Sequence, residues 1–434
     1  MAADTIRPSG RLFMDALSQS SAAGSERHGG GRRAPAPGSR ENPRMPEPTP
    51  SPALPPLPLP TGIRSRHVHG VNGLTMHLLE AGHEEPGRPC LLLLHGFPEL
   101  AWSWRQVMLP LAAAGYRVIA PDQRGYGRTT GWDGRYDGDL ASFRTLNLVR
   151  DALALVSALG LREVAAVIGH DFGSPVAAWC ALVRPDVFRS VALMSAPFAG
   201  PPPLPFDTAG REDADIRPPA TLAALDPALA ALPRPRKHYQ AYYSTREAER
   251  DMLDCPQGLH AFLRAYYHVK SADWPHNRPH PLASTGAEAY ALLPDYYVMD
   301  RALDMAQTVA PHMPTPEAIA ACRWLPDDEL GVYADEYGRT GFQGGLQWYR
   351  CSLDPAQATE LQLFSGRSID VPSVFIAGAS DWGIHQRPGG LERMQRSACS
   401  RMLGCHLIDA AGHWVQQEQP EAVVRHLLDF LAAA

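Results

Sequence analysis

An aspartate stands at a sharp turn between an apolar run and a predicted helix. Residues 163–173 read E-V-A-A-V-I-G-H-D-F-G, so Asp171 follows a β-branched run and has a glycine two residues away on each side. Small residues are needed there because the backbone turns tightly around an exposed nucleophile. The carboxylate of Asp171 could therefore attack carbon and form an ester with a substrate. Its alternative role is to cap the next helix, but the flanking glycines favour a nucleophile.

Two further residues have the types and positions of partners for such a nucleophile. Asp381 in A-G-A-S-D-W and His413 in A-A-G-H-W follow apolar runs at 371–377 and 406–408. Because open α/β sheets bind ligands at the carboxyl ends of their strands, we expect these side chains to meet Asp171. His413 would take a proton from water, while Asp381 would orient its ring and stabilise the imidazolium. Each could be an ordinary loop residue, but strand-end position and chain order favour catalysis.

Backbone donors for an anionic intermediate are also predicted. One is the N–H of Phe172, directly after Asp171, and the other is the N–H of Phe97 in H-G-F-P, which follows an apolar run. Two such donors would stabilise the oxyanion that forms when water attacks the ester carbonyl. The Phe97–Pro98 bond is a candidate cis peptide, since X-Pro bonds adopt the cis form in tight turns.

The elements that must position these residues alternate between apolar runs and helical periodicity. Runs without polar alternation, separated by helices, predict an α/β fold with a mostly parallel sheet covered on both faces. Besides the run before Asp171, we predict a hairpin over 67–82 around Asn72-Gly73, strands over 90–94, 116–121, 191–194, 371–377 and 406–408, and helices over 99–114, 143–159, 172–183 and 421–433.

The alternation stops after residue 197 and resumes near residue 366. Residues 198–365 are rich in Pro, Tyr, Trp and His, with helical stretches but no clear strand. Inserted between the sixth and seventh strands, this segment is predicted to form a helical cap over an active site. The core of the fold then comprises residues 63–197 and 366–434.

The N-terminal residues 1–62 differ from the rest in composition. They are dense in Pro, Ser, Gly and Arg, with too little apolar surface to offset the entropy of ordering, which predicts a disordered extension. Arg32-Arg33 is not followed by the apolar stretch of a signal peptide. A targeting segment and a translation start placed too far upstream, with Met45 as a later start, both stay open.

Composition excludes several classes of partner. A net charge of −6 gives no sign of nucleic-acid binding. No run approaches the ~20 apolar residues of a membrane helix, so no membrane partner is expected. Seven scattered cysteines without metal-ligand spacing suit a reducing compartment, and we predict a cytoplasmic protein that needs no metal and no cofactor. The oligomeric state stays open.

Five short motifs together resemble one known family, the epoxide hydrolases of the α/β-hydrolase superfamily. The order of nucleophile, acid and histidine is also the order of that superfamily. The resemblance covers roughly residues 63–434 and implies an α/β-hydrolase fold with an eight-stranded, mostly parallel sheet and an inserted cap. Its motifs are H-G-F-P-E at 95–99, S-W-R at 103–105, D-Q-R-G-Y-G at 122–127, G-H-D-F-G at 169–173 and G-H-W at 412–414.

The resemblance implies two cap tyrosines that hold the epoxide oxygen. Tyr349, in W-Y-R, matches the second, and Tyr239, in H-Y-Q, matches the first, although Tyr242 and Tyr243 remain alternatives. A tyrosine with a pKa near ~10 stays protonated at neutral pH and can donate to the departing oxygen. The partners would be a small-molecule epoxide and water, and the product a vicinal diol.

Two other functions are weighed against epoxide hydrolysis. Haloalkane dehalogenases share the Asp-His-Asp chemistry, but those relatives typically carry Trp directly after the nucleophile and often Asn after H-G, as halide ligands. This chain has Phe172 and Phe97 at these positions, and neither side chain has a donor. A catalytically idle ligand-binding protein on the same fold is the other alternative, and the intact triad argues against it. Which epoxide is used stays open.

Overall fold

A computed structural model of the protein describes residues 54–204 and 222–434. Of the predicted disordered extension, residues 1–53 lie outside the described residues. Over 54–62, Leu57 and Leu59 are partly buried and pack against the core of the fold. A P-L-P-L-P run supplies apolar side chains that an argument from composition overlooks.

Ten strands occur in the described residues, and eight of them form one sheet. Its spatial order is β1-β2-β4-β3-β5-β6-β9-β10, in which only the β1–β2 and β2–β4 pairs are antiparallel. The predicted mostly parallel, eight-stranded α/β fold is therefore confirmed. The strands are β1 (Ile63–Val71), β2 (Leu74–Ala81), β3 (Cys90–Leu94), β4 (Arg117–Pro121), β5 (Ala166–His170), β6 (Val191–Met194), β7 (Arg236–His238), β8 (Val298–Asp300), β9 (Ser373–Gly378) and β10 (Met402–Ile408).

Helices cover both faces of this sheet, and ten of them lie between β6 and β9 in the part of the chain that the structure describes. None in the described residues has the length and apolarity that crossing a bilayer requires. The helices are α1 (Arg105–Ala113), α2 (Thr145–Ala158), α3 (Gly173–Val183), α4 (Leu222–Ala230), α5 (Tyr239–Tyr243), α6 (Glu247–Leu253), α7 (Leu259–Lys270), α8 (Ala287–Tyr290), α9 (Met305–Val309), α10 (Pro316–Ala321), α11 (Asp327–Thr340), α12 (Gln343–Leu353), α13 (Pro355–Gln362), α14 (Gly390–Arg393), α15 (Val415–Glu418) and α16 (Pro420–Ala433).

The central strands are buried on both sides, which explains their unbroken apolar character. In β3, Leu91 and Leu93 belong to a core cluster that also contains residues of α1 and α16. Leu92 and Leu94 belong to a second cluster, together with residues of α2 and α3. Because alternate side chains of a strand point to opposite faces, both faces need apolar residues and no polar alternation remains.

The segment between β6 and β9 departs from the prediction in one respect. We predicted no clear strand there, but β7 and β8 pair antiparallel, with Lys237 opposite Met299. Each strand has only three residues, and about 60 residues separate them in the sequence. Strands this short carry no readable period of two, so only the folded chain reveals them.

Candidate active site

The turn between β5 and α3 holds Asp171 in a backbone conformation that few residues adopt. Its φ is +51°, in the left-handed region. A Cβ on Gly173 would run into the carbonyl of Leu94, and one on Gly169 would run into Gly173 itself. The glycines are therefore required by contact as well as by the tight turn, and Asp171 projects from the end of the strand.

The carboxylate of Asp171 is contacted on both oxygens. The backbone N–H of Phe97 donates to Oδ1 at 2.9 Å, and Nε2 of His413 lies 3.3 Å from Oδ2. The Phe97–Pro98 peptide is cis, as predicted. Within the described residues, the N–H of Phe172 makes no hydrogen bond, so this second predicted donor is unoccupied. The Asp171 side chain keeps 16% of its surface exposed, which leaves it open to a ligand.

The three predicted residues meet at the carboxyl ends of β5, β9 and β10. Nδ1 of His413 lies 3.2 Å from each carboxylate oxygen of Asp381. Asp381 also accepts the N–H of Gly383 at 2.7 Å, which holds its carboxylate in place. The imidazole of His413 therefore lies between two carboxylates, one on each ring nitrogen.

This arrangement shifts the protonation of the pair. Burial alone would lower the pKa of His413, but the charge of Asp381 and the hydrogen bonds to Asp171 and Asp381 raise it to about 9. Burial alone would raise the pKa of Asp171, but the hydrogen bond and charge of His413 hold it well below its usual range. Asp171 is therefore an anion at neutral pH, as a carboxylate nucleophile must be.

The two predicted tyrosines belong to the segment between β6 and β9. Tyr349, on α12, packs against the rings beside Asp171, with its ring centre 4.6 Å from that of Phe172 and 5.4 Å from that of Phe97. Tyr239 begins α5, and its ring centre lies 5.9 Å from that of Tyr349. Its hydroxyl donates to Oε1 of Gln386 at 3.1 Å. The folded chain thus brings both tyrosines to one aromatic cluster above the aspartate.

The two alternative tyrosines have different surroundings. The hydroxyl of Tyr242 donates to Asp251 at 3.3 Å, a contact within the inserted segment. The ring of Tyr243 lies 5.0 Å from that of Tyr349, nearer than that of Tyr239. Ring proximity alone therefore leaves both Tyr239 and Tyr243 beside Tyr349.

A second buried hydrogen-bond system behind the nucleophile was missed from the sequence. Nδ1 of His170 lies 2.6 Å from Oε2 of Glu99, and its Nε2 lies 2.7 Å from the carbonyl oxygen of His413. Glu99 also accepts from the N–H of Gly96 at 3.1 Å and from Gln416 at 2.8 Å. This network joins the loops that carry Phe97, Asp171 and His413. The sequence signals were the glutamate in H-G-F-P-E and the histidine in G-H-D-F-G, to which no role had been assigned.

Comparison with known proteins agrees with this geometry. The family model of the alpha/beta hydrolase fold matches residues 89–218. Epoxide hydrolase A of Mycobacterium tuberculosis (strain H37Rv) is 32% identical over 372 residues, which cover 85% of this chain and 98% of the relative. Epoxide hydrolase B of the same strain is 31% identical over 366 residues, covering 83% and 96%.

A solved structure shows the same likeness in three dimensions. It is an epoxide hydrolase from an endophytic Streptomyces, with a TM-score of 0.65 and 29% identity, covering 86% of this chain and 96% of that one. Because the similarity extends over most of the chain in both sequence and fold, the chain belongs to the epoxide hydrolases of the α/β-hydrolase superfamily.

Proposed function

We propose that this enzyme opens its epoxide through a covalent ester on Asp171. The observation that carries the proposal is the convergence of the Phe97 N–H and the His413 imidazole on one carboxylate, beneath the two tyrosines. In the first step, Asp171 attacks a ring carbon, the carbon–oxygen bond of the epoxide breaks, and a tyrosine gives its proton to the departing oxygen.

Tyr349 and Tyr239 are proposed as the acids of this step. Burial raises the pKa of Tyr349 well above its usual range, and the charges of Tyr239 and Asp171 add to the effect. Burial and the charge of Asp171 likewise raise the pKa of Tyr239. Both phenols are therefore protonated donors. The charge of Asp171 is the second-largest cause of the shift in the pKa of Tyr239 and is not among the leading causes for Tyr243, so the proposal favours Tyr239 as the first tyrosine.

The second step regenerates the carboxylate. His413 takes a proton from water, which attacks the carbonyl carbon of the Asp171 ester, and Asp381 stabilises the resulting imidazolium. The N–H groups of Phe97 and Phe172 donate hydrogen bonds to the oxyanion that forms on the ester carbonyl. The ester bond then breaks, and the imidazolium of His413 gives its proton to the departing diol oxygen. The Asp171 carboxyl loses the second proton of the water, which returns to the tyrosinate left by the first step, and the vicinal diol leaves. An ether on serine would not be hydrolysed in this way, so a carboxylate is the nucleophile that permits turnover.

We further propose that residues 198–365 act as the cap of this site. Three of its side chains bind backbone carbonyls of core loops next to the triad. The Tyr267 hydroxyl donates to Pro98 at 2.9 Å, the Tyr337 hydroxyl to Glu99 at 3.2 Å, and Nε1 of Trp348 to Arg124 at 3.0 Å. These contacts attach the inserted segment to the core loops and support its role as a cap that positions Tyr349 and Tyr239.

The source of the oxygen atom that is added to the epoxide tests the ester mechanism directly. In a single turnover with enzyme in excess in ¹⁸O-water, we expect a diol without ¹⁸O, because its new oxygen comes from the Asp171 carboxylate. The heavy atom should appear in Asp171 and be found by mass spectrometry of the peptide that contains it. A first-turnover diol that carries ¹⁸O would show direct attack of water on the ring and overturn the ester proposal.

Removal of one tyrosine hydroxyl tests the acid step. Tyr349→Phe should slow ester formation about 10²-fold, the usual contribution of one positioned acid, and Tyr239→Phe added to it should slow it further. Ester hydrolysis, measured after the ester has formed, should change little. Rapid-quench mass spectrometry separates the two rates, and Tyr243→Phe is the matched control. A larger loss in Tyr243→Phe than in Tyr239→Phe would reassign the first tyrosine.

A further inference from the structure

A buried lysine next to the triad has no role in the mechanism described above. Lys270 ends α7 and is only 3% exposed. Its Nζ lies 5.0 Å from the ring centres of Tyr266 and Tyr297 and 5.6 Å from that of Trp414. Within the described residues, Nζ forms no ion pair and no hydrogen bond. Since a buried charge is costly unless it is compensated, this cation needs a partner at longer range.

Lysine is rare in this chain. Only Lys237 and Lys270 occur among 40 lysine and arginine residues. Lys237 is also in the inserted segment and lies 4.8 Å above the ring of Tyr242, but the charges that act on it are Asp304, Arg301, Asp251 and Asp226. Both lysines thus lie near aromatic rings of the inserted segment, but Lys270 is the more buried of the two and the one that adjoins the triad.

The backbone fixes Lys270 beside His413. The N–H of His413 donates to the carbonyl oxygen of Lys270 at 2.8 Å, which joins the end of α7 to the histidine loop. Trp414, which forms one side of the lysine cage, directly follows His413, and their ring centres lie 4.7 Å apart. Because Nζ lies 5.6 Å from the Trp414 ring centre, the cation is within about 10 Å of the His413 imidazole.

The charge of Lys270 affects the pKa values of both His413 and Asp171. Burial and the charge of Asp381 have the largest effects on the pKa of His413, and Lys270 lowers it. Burial and the hydrogen bond with His413 dominate the pKa of Asp171, which Lys270 lowers further. The Asp171 carboxylate is already ionised without this help. The effect on His413 is the one that can matter for turnover.

The charges of the site change when the ester forms. Before attack, Asp171 and Asp381 are two anions on either side of His413, and they favour the imidazolium. Once Asp171 is an ester, its charge is gone, and Asp381 and Lys270 remain as one anion and one cation. With a neutral imidazole, the charges of Asp381 and Lys270 cancel. The neutral imidazole is also the form that can take a proton from water.

We propose that Lys270 is a positioning residue whose cation offsets the charge of Asp381, so that His413 is neutral and basic while Asp171 is esterified. This inference rests on the proposed ester mechanism. Other charged or titratable groups facing His413 come from each element around it. They are Asp171 and His170 at the end of β5, Asp381 after β9, and Glu418 of α15, which accepts from the N–H groups of Gly412 and Trp414.

The sign of the effect follows from this arrangement. Without the cation, Asp381 faces no opposing charge, so the imidazolium is favoured and the pKa of His413 in the ester state rises. A unit charge about 10 Å away, at an effective dielectric constant of about 20, changes a pKa by about one unit. The acid limb of the ester-hydrolysis rate should therefore move up by about one pH unit, which slows hydrolysis at pH 7 up to about tenfold.

The test compares Lys270→Met with Lys237→Met in the full chain. With an aromatic epoxide, rapid-quench mass spectrometry at pH 6–10 gives the rates of ester formation and ester hydrolysis separately. In Lys270→Met we expect ester formation within about threefold of the starting enzyme, slowed hydrolysis at pH 7 and recovery toward pH 9–10. Lys237→Met should match the starting enzyme, and Lys270→Arg should restore the acid limb.

Each outcome has a separate meaning. A folded Lys270→Met enzyme with an unshifted acid limb overturns the role of Lys270 while the ester mechanism stands. Lys270→Gln, a neutral polar replacement, serves the same purpose if the methionine variant does not fold, as judged by thermal unfolding. If the unaltered enzyme forms no ester at all, the ester mechanism itself fails, and the inference for Lys270 fails with it.

Discussion

Replacement of Asp171 by asparagine is expected to abolish diol formation. The amide is too weak a nucleophile to open the ring, and loss of a covalent nucleophile costs at least about 10⁴-fold in turnover. No ester should form either, so intact-mass measurements after mixing with epoxide should show the unmodified chain. Diol production by gas or liquid chromatography is the primary measurement. Turnover close to that of the starting enzyme would remove Asp171 from the reaction.

The asparagine variant is expected to disturb the folded structure less than the alanine variant. Asparagine tolerates the left-handed conformation at φ +51° as aspartate does, and its Oδ1 can still accept from the N–H of Phe97. Asp171→Ala would add about 1–2 kcal/mol of backbone strain. One precaution concerns slow deamidation, which would restore the carboxylate. Fresh protein should therefore be used, with the identity of residue 171 checked by mass spectrometry, so that activity from deamidated protein is not counted as activity of the variant. Asp171→Ala cannot deamidate and serves as a second control.

Replacement of His413 by glutamine should instead leave the enzyme trapped as its ester. Asp171 can still attack, because the nucleophile, its Phe97 donor and the tyrosines are intact. Water then has no base, and the hydrolysis step should slow about 10²–10⁴-fold. We expect a stoichiometric mass increase equal to that of the epoxide, with little diol. The adduct should map to the peptide that contains Asp171.

Two comparisons make the His413 result decisive. The double variant with Asp171→Asn should show no adduct, which assigns the modified residue. The starting enzyme should show the adduct only transiently. Rapid diol formation by His413→Gln would mean that another group activates the water, and absence of both adduct and diol would mean that His413 is needed before the ester forms.

Two hydrogen-bond systems hold different parts of the site in place. In front, His413 bridges Asp171 and Asp381. Behind, the Glu99–His170 pair holds the backbone of the histidine loop through the His413 carbonyl. Burial raises the pKa of Glu99, but the charge and hydrogen bond of His170 lower it below its usual range. The rear pair is thus a buried support for the histidine loop, and the front histidine is the group to which the proposed mechanism assigns proton transfer.

Much of the core was predictable because its constraints are local. A strand buried on both faces must be apolar throughout, and a turn with φ at +51° needs small neighbours. Each requirement is met within five to ten residues of sequence. Boundaries were less accurate, since β10 runs from Met402 and not from residue 406. Its half-exposed, mixed composition as an edge strand obscured the start.

The inserted segment was far less readable. Its short strands β7 and β8, and the choice among the tyrosines of α5, depend on contacts between parts of the chain far apart in sequence. Aromatic side chains packed without a helical or strand period give no pattern that separates pocket wall from cap core.

The sequence by itself predicted the class of chemistry, since the type of residue at the elbow and the chain order of aspartate, acid and histidine are properties of short motifs. Only the tertiary structure decided which groups surround that chemistry. The Glu99–His170 support, the place of Tyr349 over Asp171 and the caged Lys270 beside His413 all arise from long-range packing. The physical reason is that a backbone turn constrains its own neighbours along the chain, whereas charge, burial and proton affinity depend on whatever the fold brings near in space.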